Sequence, residues 1–132
     1  MKEIENLWPK DLGRLDIRMP KEILLKQVQY LENLSKNVLV GEVKTSKSVI
    51  DQTKIQVINY EFVIKVPSLG NYQFSLLRVM HDFNIYPIKV FNVLTESEEV
   101  ANDETTFIEA LKRIFSDRTT TNAINAVLSD NF

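Results

Sequence analysis

The chain has 132 residues, of which 44% are apolar and 26% charged, with a net charge of −2 at pH 7. This balance is typical of a globular protein, and we expect residues 1–132 to form one domain. The absence of cysteine excludes disulfides, thiolate zinc sites and cysteine nucleophiles. The negative charge argues against nucleic-acid binding, and no apolar stretch is long enough to cross a membrane. Since the start has no apolar signal region, we expect a cytoplasmic protein.

Residues 1–19 predict an N-terminal arm that packs back onto the core. Large apolar side chains recur there at helical spacing, at Ile4, Leu7, Trp8, Leu12 and Leu15. Pro9 and Gly13 interrupt this pattern, which rules out one continuous helix. We expect Trp8 to anchor the arm.

Residues 20–36 predict an amphipathic helix. Pro20 suits its first position, where the missing N–H costs nothing. Leu24, Val28 and Leu31 then recur at three- and four-residue steps. Asn37 can end the helix in a left-handed conformation.

The next part of the chain predicts a four-stranded antiparallel meander. Residues 38–44 form a short strand, and the polar residues 44–48 are typical of a loop. Lys44, Lys47 and Lys54 cluster near this loop, either as an anion contact or as ordinary solvated side chains. Three longer strands follow between Lys54 and Leu94, and a change of phase predicts a β-bulge near Val57 and Ile58.

The strand over residues 72–83 carries apolar side chains in both phases. Leu76 and Met80 are in phase with Tyr72, whereas Leu77 and Val79 have the opposite phase. Such a strand is typical of a sheet covered on both faces. Because a chain of this size has few elements to supply that cover, the pattern favours a homodimer.

The last third of the chain is acidic and predicts a loop followed by two helices. Residues 95–102 form the loop, and Asn102 or Asp103 caps a helix whose stripe includes Phe107, Leu111 and Phe115. A second helix starts near Thr119, Thr120 or Thr121. The whole pattern predicts an α+β fold with an N-terminal helix, a four-stranded antiparallel meander sheet and two C-terminal helices.

Two groups of polar side chains are candidate sites. Exposed carboxylates form a predicted contact for a basic protein surface, at Glu96, Glu98, Glu99, Asp103 and Glu104. Their spacing lacks the glycine and alternating ligands of a calcium loop, so no metal site is predicted. Arg78 and His81 are hypothetical anchors for a ligand or an anion. Neighbouring strand side chains point to opposite faces, so His81 and Asp82 do not make a catalytic dyad.

With three glycines, the chain has neither a dinucleotide-binding glycine motif nor a P-loop, and no cofactor is predicted. We therefore expect a non-enzymatic domain that binds another protein, as an adaptor, a chaperone or an inhibitor does. One alternative is a small-molecule carrier with a pocket between sheet and helix. A second alternative is an enzyme that uses His81, Arg78 and a distant carboxylate.

Overall fold

The computed structural model describes residues 3–13, 17–50 and 54–129, and it confirms the α+β fold with five strands instead of four. Every strand pairs antiparallel with its neighbour in sequence, so the sheet is a simple meander. The elements are α1 (Pro20–Leu34), β1 (Val40–Ile50), β2 (Ile55–Val66), β3 (Tyr72–His81), β4 (Ile88–Asn92), β5 (Ser97–Ala101), α2 (Glu104–Ser116) and α3 (Arg118–Ser129). A short 3-10 turn, Pro67–Leu69, joins β2 to β3.

Helix α1 begins at Pro20 as predicted and ends at Leu34, two residues earlier than predicted. Lys36 and Asn37 both have positive φ, and the Asn37 N–H donates to the carbonyl oxygen of Glu32 at 2.8 Å. This hydrogen bond satisfies a carbonyl at the end of the helix, as left-handed caps do.

Strand β1 is longer than predicted, since the expected loop over residues 44–48 is part of it. Lys44 lies opposite Glu61 and Ser48 lies opposite Val57 on β2. The polar segment is extended because β2 supplies hydrogen-bond partners, and an edge strand can leave both faces in water. Lys44 and Lys47 are an odd number of residues apart in the strand, so they point to opposite faces and form no common anion contact.

The bulge lies elsewhere than predicted. Phe62 pairs with Leu77 and Val63 pairs with Ser75, so Leu76 is the extra residue, on β3. A bulge lets two successive side chains point the same way, and Leu76 and Leu77 are both buried in one core. The two-phase pattern of β3 therefore comes from the bulge and gives no reason to expect cover on both faces.

Strand β5 occupies most of the predicted acidic loop. Ser97 pairs with Asn92 and Ala101 pairs with Ile88 of β4. The turn before it is held by the Asn92 side chain, whose Oδ1 accepts the N–H groups of Leu94 and Thr95 at 3.0 and 3.3 Å. Ser97–Ala101 has too few apolar residues to show a strand pattern, and pairing with β4 decides its conformation.

Helices α1, α2 and α3 pack on the same face of the sheet. The core includes Leu24 of α1, Phe107 of α2 and Val127 of α3 with Phe62 and Val79 of the central strands. Cross-strand partners share a face, which places Lys44, Arg78, Lys89 and Val100 on the other face, where they are exposed. We call this the open sheet face, because no helix within the described ranges covers it.

The N-terminal arm does not follow the prediction. Residues 3–13 have no regular helix or strand and are exposed throughout. Trp8 is 71% exposed and is therefore not an anchor on the core. Leu15, the last member of the predicted apolar pattern, lies outside the described residues.

Helix α3 starts at Arg118, and its first turn is held by Asp117 instead of a threonine. The Asp117 carboxylate accepts the N–H of Thr119 at 2.9 Å. Within the part of the chain that the structure describes, no helix is long and apolar enough to cross a membrane.

Candidate functional site

His81 lies in the core and makes two contacts there. Its Nδ1 is 2.7 Å from the carbonyl oxygen of Asp82, and its Nε2 is 3.4 Å from the Tyr60 hydroxyl. A carbonyl can only accept, so Nδ1 donates this hydrogen bond. Burial raises the pKa of Tyr60. Because His81 is almost fully buried and its ring nitrogens are both engaged, this arrangement suits a structural histidine.

Arg78 lies on the open sheet face, opposite the face that carries His81. Its Nε is 3.4 Å from Oε2 of Glu61, its cross-strand partner, and the side chain is exposed. Lys44, Lys89 and Glu98 line the same shallow depression, so charges of both signs surround Arg78. The predicted anchors Arg78 and His81 are therefore separated by the sheet and cannot bind one ligand together.

Three of the five predicted contact carboxylates form hydrogen bonds or ion pairs with other residues of the same chain. Glu104 accepts two hydrogen bonds from Arg18, at 3.0 and 3.1 Å, and Glu99 on β5 pairs with Arg113 of α2. These carboxylates raise the pKa of their arginine partners, chiefly through the side-chain hydrogen bonds. Both pairs connect α2 to other segments.

Asp103, the third of these carboxylates, caps α2. Its Oδ1 accepts the N–H of Thr106 at 2.8 Å, and the Thr106 hydroxyl in turn accepts the N–H of Asp103 at 3.2 Å. The backbone hydrogen bond from Thr106, and then its side-chain hydrogen bond, lower the pKa of Asp103. Glu96 sits in the turn before β5 with positive φ, and Glu98 lies on the open sheet face opposite Phe91. The five carboxylates thus point in several directions instead of forming one patch.

A groove lies between α1 and α2. Helix α1 packs on the edge strand β1, whereas α2 packs on β4 and β5 near the other edge. The two helices therefore stand apart, and a groove of about 1120 Å³ opens between them. Its apolar lining residues include Ile23, Leu25, Ile108, Leu111 and Phe115. We call it the helical groove.

The floor and the walls of the helical groove are apolar and reach solvent. Phe115 packs at its base against Phe62 of the sheet, with ring centroids 5.7 Å apart. Leu25 on α1 is 44% exposed and Ile108 on α2 is 39% exposed. Exposed large apolar side chains that line a concave surface are a feature of binding sites.

The rim of the helical groove is basic. Lys21, Lys26 and Lys112 line it together with the carboxylate of Glu22, which leaves a net charge of +2 from these four side chains. Arg18 also lines the groove, but it is paired with Glu104. The rim therefore has the opposite sign to the whole chain, whose net charge is −2.

A smaller apolar cleft continues the helical groove towards α3. It measures about 290 Å³ and shares Gln27 and Phe115 with the groove. Its walls come from α1, α3 and the sheet, with Leu31, Leu39, Ile64, Leu76, Ile124 and Leu128 among them. Tyr30, Ser35 and Gln27 are its polar members.

The helical groove was not predicted from the sequence. Ile108 belongs to the predicted apolar stripe of α2 and Leu25 widens the predicted stripe of α1, and these apolar residues were the available signal. Periodicity could not place the two helices on either side of one groove. In the described part of the chain, no three histidine or carboxylate side chains converge as metal ligands would.

No family model matches the chain, and comparisons with curated proteins and with solved structures found no match.

Proposed function

We propose that this protein is a non-enzymatic, cytoplasmic protein-interaction domain and that its contact surface is the helical groove. The observation that supports this most is the apolar side of α2 in the groove, where Ile108 is 39% exposed beside Leu111 and Phe115 and the rim is basic. A groove between two helices suits an amphipathic segment, which lays its apolar side chains between them. The lysines favour a segment whose flanks are acidic.

The chemistry of the groove predicts which segments bind. Apolar side chains of the segment would contact Ile108, Leu111 and Phe115, and these central contacts would supply most of the binding free energy. Carboxylates on its flanks would face Lys21 and Lys112 and would mainly raise the association rate. We therefore expect the groove to bind acidic segments more tightly than basic ones, and we expect this difference in affinity to decrease as salt is added.

A pair of designed peptides tests this proposal. One has leucines at positions i, i+3, i+4 and i+7 with glutamates elsewhere, and the other replaces each glutamate by lysine. Titration into ¹⁵N-labelled protein should shift the amide resonances of α1 and α2 with the acidic peptide. We expect that peptide to bind at least about tenfold more tightly than the basic peptide at low salt, a difference of about 1.4 kcal/mol.

Two variants control the experiment. Ile108→Glu places a carboxylate in the groove and should abolish binding of the acidic peptide. Val100→Glu makes the same kind of change at a 54% exposed apolar residue on the open sheet face and should leave binding intact. Equal binding of both peptides, or resonance shifts confined to the open sheet face, would contradict the proposal.

A small-molecule carrier is a second candidate function, favoured by the apolar cleft next to α3. Its volume of about 290 Å³ is close to the lower end of ligand pockets, and Tyr30 and Gln27 are polar groups at its border. A medium-chain fatty acid should then bind with one-to-one stoichiometry and shift the methyl resonances of Leu39 and Leu76. Saturable binding without those shifts would argue against this candidate.

A further inference from the structure

We propose that the outer edge of β1 is a second interaction surface, which binds an extended acidic segment of another protein as a sixth strand of the sheet. The surface consists of residues 44–49, and we call it the β1 edge. Strand addition of this kind takes its affinity from backbone hydrogen bonds and its specificity from alternate side chains. It is separate from the helical groove, which α1 and α2 form.

The backbone of β1 directs every second residue away from β2. The strand lies at the end of the sheet, and its register with β2 is unbroken along its whole length. The Gly41 N–H donates to the Glu32 carboxylate of α1 at 3.2 Å, so Gly41 faces away from β2. Antiparallel strands alternate between residues that bond the neighbouring strand and residues that do not. The residues at even steps from Gly41 therefore direct their N–H and C=O groups outward, namely Thr45, Lys47 and Val49.

Helix α1 covers only the start of this strand. Residues 40–43 are partly buried and the carboxylate of Glu32 occupies the edge at Gly41, whereas residues 44–49 are exposed. The exposed part has no proline and no bulge, two features that protect other edge strands from pairing. The opposite edge strand, β5, has only five residues, and its Glu99 is paired with Arg113 of α2. The β1 edge is thus the longer and more accessible of the two.

The charge of the β1 edge favours an acidic occupant. Within the described ranges, neither Lys44 nor Lys47 forms an ion pair. The carboxylates of β1 and β2 pair with other cations, as Glu42 with Lys65 and Glu61 with Arg78. Residues 44–58 carry Lys44, Lys47 and Lys54 against Asp51, which lies outside the described residues, so their net charge is +2. A second copy of β1 would bring two further lysines to the same edge, and like charges across strands are destabilising.

The spacing of the two lysines defines the pattern of the bound segment. Lys44 and Lys47 point to opposite faces of the sheet, and the side chains of an added strand alternate between the same two faces. An antiparallel segment would place one glutamate opposite Lys47 and a second, three residues later, opposite Lys44. Two residues before the first glutamate, an apolar side chain would lie beside Val49, which is 49% exposed. The pattern is therefore apolar-x-Glu-x-x-Glu, with β-forming residues at the other positions.

A synthetic peptide with this pattern tests the proposal by titration into ¹⁵N-labelled protein. We expect it to shift the amide resonances of residues 44–49 and to leave those of α2 unchanged. A peptide of the same composition with adjacent glutamates should bind at least about tenfold more weakly. N-methylation of the residue opposite Lys47 should abolish binding, because that N–H faces β1. N-methylation of the next residue, whose N–H faces away, should leave binding intact.

Two variants of the protein test the same contact from the other side. Thr45→Pro removes an outward N–H that β2 does not use, so the chain should fold and bind the peptide at least about tenfold more weakly. The double change of Lys44 and Lys47 to Glu should abolish binding of this peptide and create binding of its counterpart with lysines in place of glutamates. Ile108→Glu, which alters the helical groove, should have no effect. Retained dispersion of the ¹⁵N spectra shows that each variant is folded.

Three outcomes would overturn the inference. Equal binding of the peptide with adjacent glutamates, or equal effects of the two N-methylations, would mean that the peptide is not paired as a strand. Resonance shifts confined to α1 and α2 would place it in the helical groove. A doubled molar mass of the chain alone that Thr45→Pro abolishes would mean that a second copy occupies the β1 edge. Binding in the groove is measured with the helical peptides and Ile108→Glu, so the proposed function and this inference can fail separately.

Discussion

Gly41 is the residue that allows α1 to approach β1 closely. A Cβ atom at this position would lie 2.9 Å from both methyl groups of Val28 on α1. Val28 is β-branched and largely buried, so it has little freedom to move aside. The distance between α1 and the sheet therefore depends on this one missing side chain.

We expect Gly41→Ala to lower the free energy of unfolding by about 1–3 kcal/mol, the usual cost of an overpacked contact. Denaturant unfolding measures this change. The matched variant is Gly41→Ala combined with Val28→Ala, which removes the clashing methyl groups. If the double variant is no more stable than the sum of the two single changes predicts, the clash is not the cause.

Asp103 makes the stability of α2 depend on pH. Its pKa is lowered in the folded protein by the hydrogen bonds from Thr106. The charged carboxylate therefore stabilises the fold above the unfolded pKa of about 3.9, and this stabilisation is lost as the pH falls through the lower folded value. Asp103→Asn keeps a capping side chain but cannot titrate.

We expect wild type to be more stable than Asp103→Asn at pH 7, and we expect the difference to disappear in acid. Thermal unfolding of both proteins at neutral pH and at successive pH values below about 4 measures it. A difference that stays constant over this range would show that the charge of Asp103 does not contribute.

At the scale of elements, α2 is attached to the sheet by its buried face and not by its ion pairs. Phe107 is fully buried in the core together with Leu111 and Ile114. The pairs that join Arg113 to Glu99 and Arg18 to Glu104 are exposed. Exposed pairs contribute little, about 0–1 kcal/mol each.

Phe107→Ala should therefore lower the free energy of unfolding by about 3–5 kcal/mol. Ile108→Ala is the matched control, since the adjacent side chain lies on the wall of the helical groove. We expect it to cost less than about 1 kcal/mol, as exposed positions usually do. Equal costs in denaturant unfolding would mean that α2 does not pack as described.

At the scale of the whole molecule, the acidic stretch and the helical groove are rival contact surfaces. The sequence predicts the stretch at Glu96, Glu98 and Glu99, where carboxylates would mainly steer association with a basic partner. In the structure, Glu99 pairs with Arg113, and Glu98 points to the opposite face of β5. In the groove, apolar area coincides with an excess of positive charge.

We expect the combined change of Glu96, Glu98 and Glu99 to Gln to alter stability by less than about 1 kcal/mol. Binding of the acidic peptide to the groove should be unchanged. The acidic stretch is tested by measuring the association rate of a basic protein partner with wild type and with the variant, by stopped flow at two ionic strengths. A slower rate for the variant, most marked at low salt, would restore the acidic stretch as the contact.

Structural features that depend on residues close together in the chain could be predicted from the sequence. The start of α1 at Pro20, the stripe of α2 and its cap at Asp103 all depend on residues within one or two turns. The one-sided pattern of β2 from Ile58 to Val66 likewise requires only strand geometry. These local patterns determined the class of the fold and the order of its elements, apart from β5.

Features that depend on distant residues were decided by the tertiary structure. The polar half of β1 and the whole of β5 are strands because β2 and β4 pair with them. The bulge at Leu76 became visible only from its register with β2. The helical groove exists because α1 and α2 rest near opposite edges of the sheet, a separation that no spacing within either helix encodes. Backbone pairing and packing act between segments far apart in the chain, and for that reason these features appear only once the chain is folded.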